Sequence, residues 1–329
     1  MQRPTWLYLL LTYAFTWLIW ITAQVFGVGP DHGEYIAAFG TAGPALAAVF
    51  LSRRGAQDDA GDRFSSRLLT FTLLWLFAWF IYLANDKLRG VHPTSSLSYY
   101  LLVGLLAAIP AWILSGAFTR DPRVRQLLRS VVHPTNWRWQ AAAFFFWPAL
   151  LLIPATIAYL AHQPLTHPQP RGTLQFSAAY AGISFLNNFL FTAALEEPGW
   201  RGFLLPRLQQ RFSPLVASLL VWFPWALWHA PLDFHKPFRF TLVSYLLIRV
   251  VFLIPITILL TWFYNRSASN LLTAIIFHAA MNTFPFVLPY YQPAFALVIL
   301  FAVVAIFVDR MWRRLPDSAA APADLPKRL

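Results

Sequence analysis

The chain of 329 residues has no cysteine, only 12% charged side chains and only three glutamates. Without thiols there is no disulfide framework, no thiolate metal site and no cysteine nucleophile. It also lacks a glycine-rich phosphate loop, a His-Glu-x-x-His pattern, a Gly-x-Ser-x-Gly elbow and a repeat of fixed period. Those absences remove nucleotide cradles, helix-borne zinc peptidases of that signature, elbow-type serine hydrolases and solenoids.

Apolar residues, by contrast, make up 58% of the chain and recur in runs of about 20, the length a helix needs to cross a bilayer. The fold class is therefore all-α: a polytopic transmembrane helical bundle of about ten apolar segments, near 5–27, 36–52, 68–85, 98–118, 139–161, 174–196, 214–229, 241–263, 270–285 and 290–309. The first run, Trp6 to Val28, is too long for a signal-peptide core and has no small-x-small cleavage pattern, so it reads as a retained span.

A net charge of +12 suggests nucleic acid in a soluble protein, but here the basic residues sit in short loops between apolar runs. Positive-inside bias accounts for them. With the N-terminus inside, nineteen basic residues fall on the inner side and five on the outer, with Arg249 inside a span. This places an integral membrane protein, in a prokaryotic plasma membrane, with both termini cytoplasmic and no nucleic-acid partner. Trp6, Trp137, Trp139 and Trp312 lie near span ends, where indoles favour the headgroup layer. Arg249 reads as snorkelling, or as a structural partner of Glu197 or Asp233.

The chain divides into N-terminal transmembrane helices and cytoplasmic connectors (1–173), a polar-bearing core (174–285), a last transmembrane helix (286–314) and a Pro/Ala-rich tail (315–329) too poor in bulky apolar residues to order. Chemistry concentrates in the core. Glu197 with Arg201, Trp225 with His229, and His278 with Asn282 are each four residues apart, which puts each pair on one helix face. Ser184, Asn188, Thr192 and Glu196 continue the spacing as a polar stripe. Ser184 reads as interhelical glue, while Asn188 and Thr192 read as lining a wet path to Glu196. Ionisable groups at membrane depth cost at least about 2.5 kcal/mol each and are functional by default.

A carboxylate and an imidazole can hold and deprotonate a water, while a second imidazole and a carboxamide can donate to an oxyanion. The same carboxylate and two histidines, Glu196, His229 and His278, could instead ligate zinc with a fourth position open. Both chemistries stand at this point.

Glu-Glu-x-x-x-Arg at 196–201, aromatic-x-x-x-His at 225–229 and His-x-x-x-Asn at 278–282, in that order, resemble the three motifs of the CAAX prenyl protease and bacteriocin-processing family (CPBP, or Abi) of intramembrane proteases. The resemblance covers about residues 174–285. It implies Glu196 as the water-activating base assisted by His229, His278 and Asn282 as oxyanion donors, and Glu197, Arg201 and Trp225 as supports. It further implies a CAAX-type hydrolase acting by intramembrane proteolysis on a peptide or lipidated substrate amid membrane lipids, with no cofactor required in the favoured mechanism. A non-enzymatic class competes: a proton-coupled transporter using the Glu/His/Arg cluster as a relay, or a scaffold in peptide-toxin immunity. Ending one span at 196 and starting the next at 214 puts Glu196 and His229 toward opposite faces. The expectation is thus that segment 214–229 tilts, begins above the surface or is re-entrant.

Overall fold

A computed structural model describes residues 3–26, 38–53, 64–90, 96–133, 135–167, 178–233 and 241–316. Helices account for the architecture, and the only β feature among the described residues is one isolated bridge between Thr166 and Tyr290. The helices are α1 (Arg3–Val25), α2 (Gly43–Arg53, preceded by a helical turn at 38–41), α3 (Phe64–Arg89) and α4 (Leu97–Ser115). There follow α5 (Pro122–Val132), α6 (Trp137–Leu160), α7 (Ala178–Gln209), α8 (Pro214–Trp228), α9 (Leu242–Arg266), α10 (Leu271–Thr283) and α11 (Ala296–Val308).

Among the described residues seven helices are long and apolar enough to cross a membrane, namely α1, α3, α4, α6, α7, α8 and α9. The apolar segments near 36–52, 270–285 and 290–309 form the shorter helices α2, α10 and α11. Large apolar side chains such as Leu69, Leu73, Phe80, Leu101 and Leu105 are exposed on the outer faces, while Glu196, Glu197, Arg201 and His278 are buried inside. This inversion suits a lipid solvent, in which tight packing and hydrogen bonds, not apolar burial, hold helices together. α1, α2 and α7 approach closely at glycines: a Cβ on Gly43 would lie 2.2 Å from Thr16 Oγ1, and one on Gly199 would lie 2.5 Å from both the Pro44 carbonyl oxygen and Tyr8 Oη.

One end of the bundle gathers the basic loops. Gln209 bonds Asn265 at 3.3 Å, Leu215 N–H reaches the Met311 carbonyl at 2.9 Å, Arg266 pairs with Asp309, and Asn270 bonds Thr135 at 3.0 Å. α5 joins them through Ser130, whose Oγ accepts from Leu271 N–H at 2.9 Å. The N-terminal half of α1 reaches toward the same end, since Tyr8 stacks on Phe203. The opposite end joins Gln24 to the Pro231 carbonyl and Thr166 to Tyr290. Both described chain ends therefore lie at one end of the bundle. Of the sequence expectations, the 315–329 tail beyond residue 316, most of the 52–67 loop, and Arg171, Lys236 and Arg239 lie outside the described residues.

The expectation for 174–196 is corrected. That helix does not stop at Glu196 but runs through Pro198 and Gly199 to Gln209. Proline removes a backbone donor and crowds the preceding turn, yet the helix continues, and beyond Pro198 it widens: Leu205 N–H bonds the carbonyl of Trp200, five residues back. A similar wide turn precedes it, with Ala194 N–H reaching the Phe189 carbonyl. Such π turns re-aim side chains without ending the helix, and they recur at functional sites.

Candidate active site

Extending α7 to Gln209 makes α7 and α8 an antiparallel hairpin whose turn lies at 210–213. Glu196 stands thirteen residues before Gln209, and Trp225 and His229 stand eleven and fifteen residues after Pro214. At 1.5 Å per residue these offsets are about 20, 17 and 22 Å, so the groups share a depth. Neither a re-entrant α8 nor an unusual tilt is needed to bring them together.

α8 falters at His229, about 22 Å along its axis and still inside the roughly 30 Å of a hydrocarbon core, before a last helical turn at Ala230–Asp233, so the carbonyls there need partners inside the bilayer. Side chains supply them. Tyr13 Oη donates to the Pro224 carbonyl at 2.6 Å, Tyr245 Oη to Ala226 at 3.2 Å and Trp17 Nε1 to Trp228 at 3.0 Å. His229 itself serves the Trp225 carbonyl through Nδ1 at 2.8 Å. A carbonyl can only accept, so Nδ1 carries the proton and a neutral His229 presents its lone pair on Nε2.

Trp225 is the hub. Its indole N–H donates to Glu196 Oε2 at 2.8 Å, and its ring lies 4.3 Å below the Arg201 guanidinium carbon. Its ring centroid is 5.5 Å from that of His278 and 5.9 Å from that of His229. Trp228 closes the other side of His229 at 4.8 Å, edge to face. Trp228 is in turn backed by Trp20 of α1 at 4.8 Å and by Trp200 of α7 at 6.1 Å.

The adjacent carboxylates diverge. Glu197 Oε1 accepts from Arg201 Nη1 at 2.9 Å and from His278 Nδ1 at 2.7 Å, and all three side chains are buried. A buried charge left unpaired costs several kcal/mol, so Glu197 and Arg201 need one another. Glu196 is left facing Trp225 and interacts electrostatically with His278, Glu197 and Arg201. His278 sits in α10, whose depth is set at its start by Asn270: its side chain accepts from Thr273 N–H and donates to Thr135 and to the His133 carbonyl.

Asn282 lies one turn beyond His278 and is half-buried, with a side-chain amide that makes no hydrogen bond among the described residues. Asn188 Nδ2 holds the Asn282 carbonyl at 3.3 Å and Thr283 Oγ1 at 3.0 Å. Asn188 thereby ties α7 to α10, much as Ser184 ties α7 to Asn85 of α3 at 3.3 Å. Thr192 is half-buried beside it. Neither Asn188 nor Thr192 lines the apolar recess of about 480 Å³ between α3, α6, α7 and α10, which is walled by residues such as Phe77, Phe144, Phe185 and Leu190.

The alternative zinc set is not assembled. No group of three His, Asp or Glu side chains among the described residues is arranged to hold a metal ion. Within the trio of Glu196, His229 and His278, Glu196 turns to Trp225 and His278 to Glu197, while Nδ1 of His229 serves a carbonyl. The sequence reading missed the indole N–H at Trp225 as the ligand of Glu196, and missed α1 as the buttress behind His229. No spacing signal marks either, because both are contacts between distant helices.

Residues 178–284 match the family model described as type II CAAX prenyl endopeptidase, Rce1-like. Over 229 residues, 65% of this chain and 80% of the relative, the sequence is 26% identical to CAAX prenyl protease 2 of Methanococcus maripaludis. The matched span holds all three motifs and every residue gathered around Trp225, so residues 178–284 of this integral membrane protein are similar to the Rce1-like CAAX prenyl endopeptidases.

Proposed function

We propose that this protein is an intramembrane endopeptidase that hydrolyses a peptide bond of a lipidated or membrane-embedded substrate, with water activated by Glu196 and His229. The observation that carries the reading is the convergence of Glu196, His229 and His278 on the Trp225 indole at mid-depth of the bundle. The indole engages Oε2 of Glu196, so Oε1 is the oxygen to hold the attacking water, with Nε2 of His229 as second acceptor. The water oxygen bonds to the scissile carbonyl carbon, its proton passes to this pair, and the carbonyl oxygen becomes an oxyanion.

Two donors suit that oxyanion. In the imidazolium form His278 donates through both nitrogens, Nδ1 to Glu197 and Nε2 to the oxyanion, and the Asn282 amide donates beside it. Collapse of the tetrahedral intermediate breaks the C–N bond, and the proton held by Glu196 and His229 goes to the leaving amine. No step uses a metal. Arg201 and Glu197 act behind His278: they hold its ring and balance charge in a dry interior. Supported by the name of the archaeal relative, the substrate class is a C-terminal C-a-a-X sequence prenylated on its cysteine.

The test is cleavage of a prenylated C-a-a-X peptide by the purified full chain in detergent or proteoliposomes. Glu196→Gln and His229→Ala should each lower kcat by about 10²–10⁴ while the protein stays folded and membrane-inserted. Wild-type rates in either variant overturn the reading.

A further inference from the structure

Arg53, the last residue of α2, and Arg67, in the first turn of α3, close on one indole: their guanidinium carbons lie 5.4 and 5.8 Å from the ring centre of Trp112 in α4. Arg67 Nη1 also donates to Thr119 Oγ1 at 3.3 Å, and Arg125 Nη1 of α5 reaches the Thr119 carbonyl at 3.5 Å. Thr119 is itself buried, and Arg120 follows it exposed at the rim. Cations from α2, α3 and α5 thus surround the end of α4, at the basic end of the bundle.

Like charges so placed repel, and Arg67 is half-buried against Arg53, where salt screens little of the repulsion. A carboxylate would relieve it, but among the described residues no ion pair joins Arg53, Arg67, Arg120 or Arg125 to an acid. Asp121, the acid nearest in sequence, turns Oδ1 to the N–H groups of Arg123 and Val124 and caps α5. A helix C-terminus attracts a cation by itself, and Arg125 on the Thr119 carbonyl has that explanation. Two further arginines stacked on a half-buried indole do not, and each guanidinium carries five donors, of which Arg67 uses one among the described residues.

We propose that this cluster binds the phosphate of an anionic phospholipid. Phosphate oxygens accept paired hydrogen bonds from planar guanidinium forks, and stacking on Trp112 orients the forks before the ligand arrives. The flanks argue for a lipid as the source. Phe50 one turn before Arg53, Leu68 and Leu69 beside Arg67, and Phe118 before Thr119 are exposed apolar side chains, so acyl chains have an apolar wall next to the cations. Basic pockets between spans at headgroup level take such lipids. A free phosphate would meet the charges and leave that wall unused.

The experiment is thermal unfolding of the purified full chain in neutral detergent, titrated with phosphatidylglycerol, with phosphatidylcholine of the same acyl chains, or with inorganic phosphate. A ligand that binds the folded state alone raises the midpoint as its concentration rises. Phosphatidylglycerol should raise the wild-type midpoint and the other two should not. Arg53→Gln and Arg67→Gln should each increase the concentration needed for half the effect roughly tenfold, the scale of one lost charged hydrogen bond. Arg138→Gln, which removes an exposed arginine beside Trp137 at the same end, should leave it unchanged. Arg53 is exposed and makes no hydrogen bond among the described residues, so its variant decides the matter even where Arg67→Gln unfolds. An equal response to phosphatidylcholine or to inorganic phosphate, a wild-type titration in Arg53→Gln, or an equal loss in Arg138→Gln overturns the proposal.

Discussion

At the scale of single residues, two neighbours of the same type do different work. Glu197 faces Arg201 and His278 with one oxygen and is sealed from solvent, whereas among the described residues Glu196 has only the Trp225 indole as a hydrogen-bond donor. One residue along a helix is a turn of about 100°, enough to send one carboxylate into an ion pair and the other toward the imidazoles. Trp225 separates the roles of ring and N–H. Trp225→Phe keeps an aromatic surface under Arg201 and between the histidines but removes the donor to Glu196. A lost hydrogen bond to a charged group costs about 1.5–3 kcal/mol, so kcat should drop roughly ten- to hundredfold. An unchanged kcat on the prenylated peptide would show that the indole N–H does not position Glu196.

At the scale of elements, the decisive event is that α7 passes through Pro198. Its widened turn carries Trp200 and Arg201 into the bundle and presses Gly199 onto α2. Gly199→Ala would drive a methyl group to 2.5 Å from the Pro44 carbonyl and from Tyr8 Oη. Backbone must shift, and overpacking of this kind costs about 1–3 kcal/mol. Thermal unfolding in detergent should show a lowered midpoint for Gly199→Ala. An alanine at Gly182, where a Cβ would meet nothing within 4 Å, should leave it in place. α8 illustrates the same economy of position, because side chains of α1 and α9 satisfy the end of this short helix at the depth where its histidine is needed.

At the scale of the whole molecule, the helices alternate between a basic end, which gathers Arg207, Arg211, Arg266, Arg310 and Arg313, and an opposite end with fewer charges among the described residues. Both described chain ends are at the basic end, and we propose from positive-inside bias that this end faces the cytoplasm. Epitope tags at the two termini should be digested together by protease added to inside-out vesicles, and both should be protected in right-side-out vesicles. Opposite protection of the two tags would overturn the assignment. Arg201, one of the nineteen basic residues that the sequence puts on the inner side, is the exception that the bundle explains: it is fully buried against Glu197 and is no topology signal.

What the sequence determined by itself follows from composition and periodicity: apolar runs of membrane length, basic loops on one side, and three four-residue pairs that one face of a helix must share. Those are local or additive properties, so they survive without knowledge of packing. Tertiary structure decided where α7 ends, that Glu197 and not Glu196 holds His278, that Asn188 stitches helices together, and that Trp225 is the common neighbour of the site. Proline usually ends helices in water, and only a bundle that packs Gly199 against α2 and pairs Arg201 inside makes a widened continuation stable. Which of two adjacent carboxylates meets a given histidine depends on rotations of separate helices, which no spacing along one chain encodes.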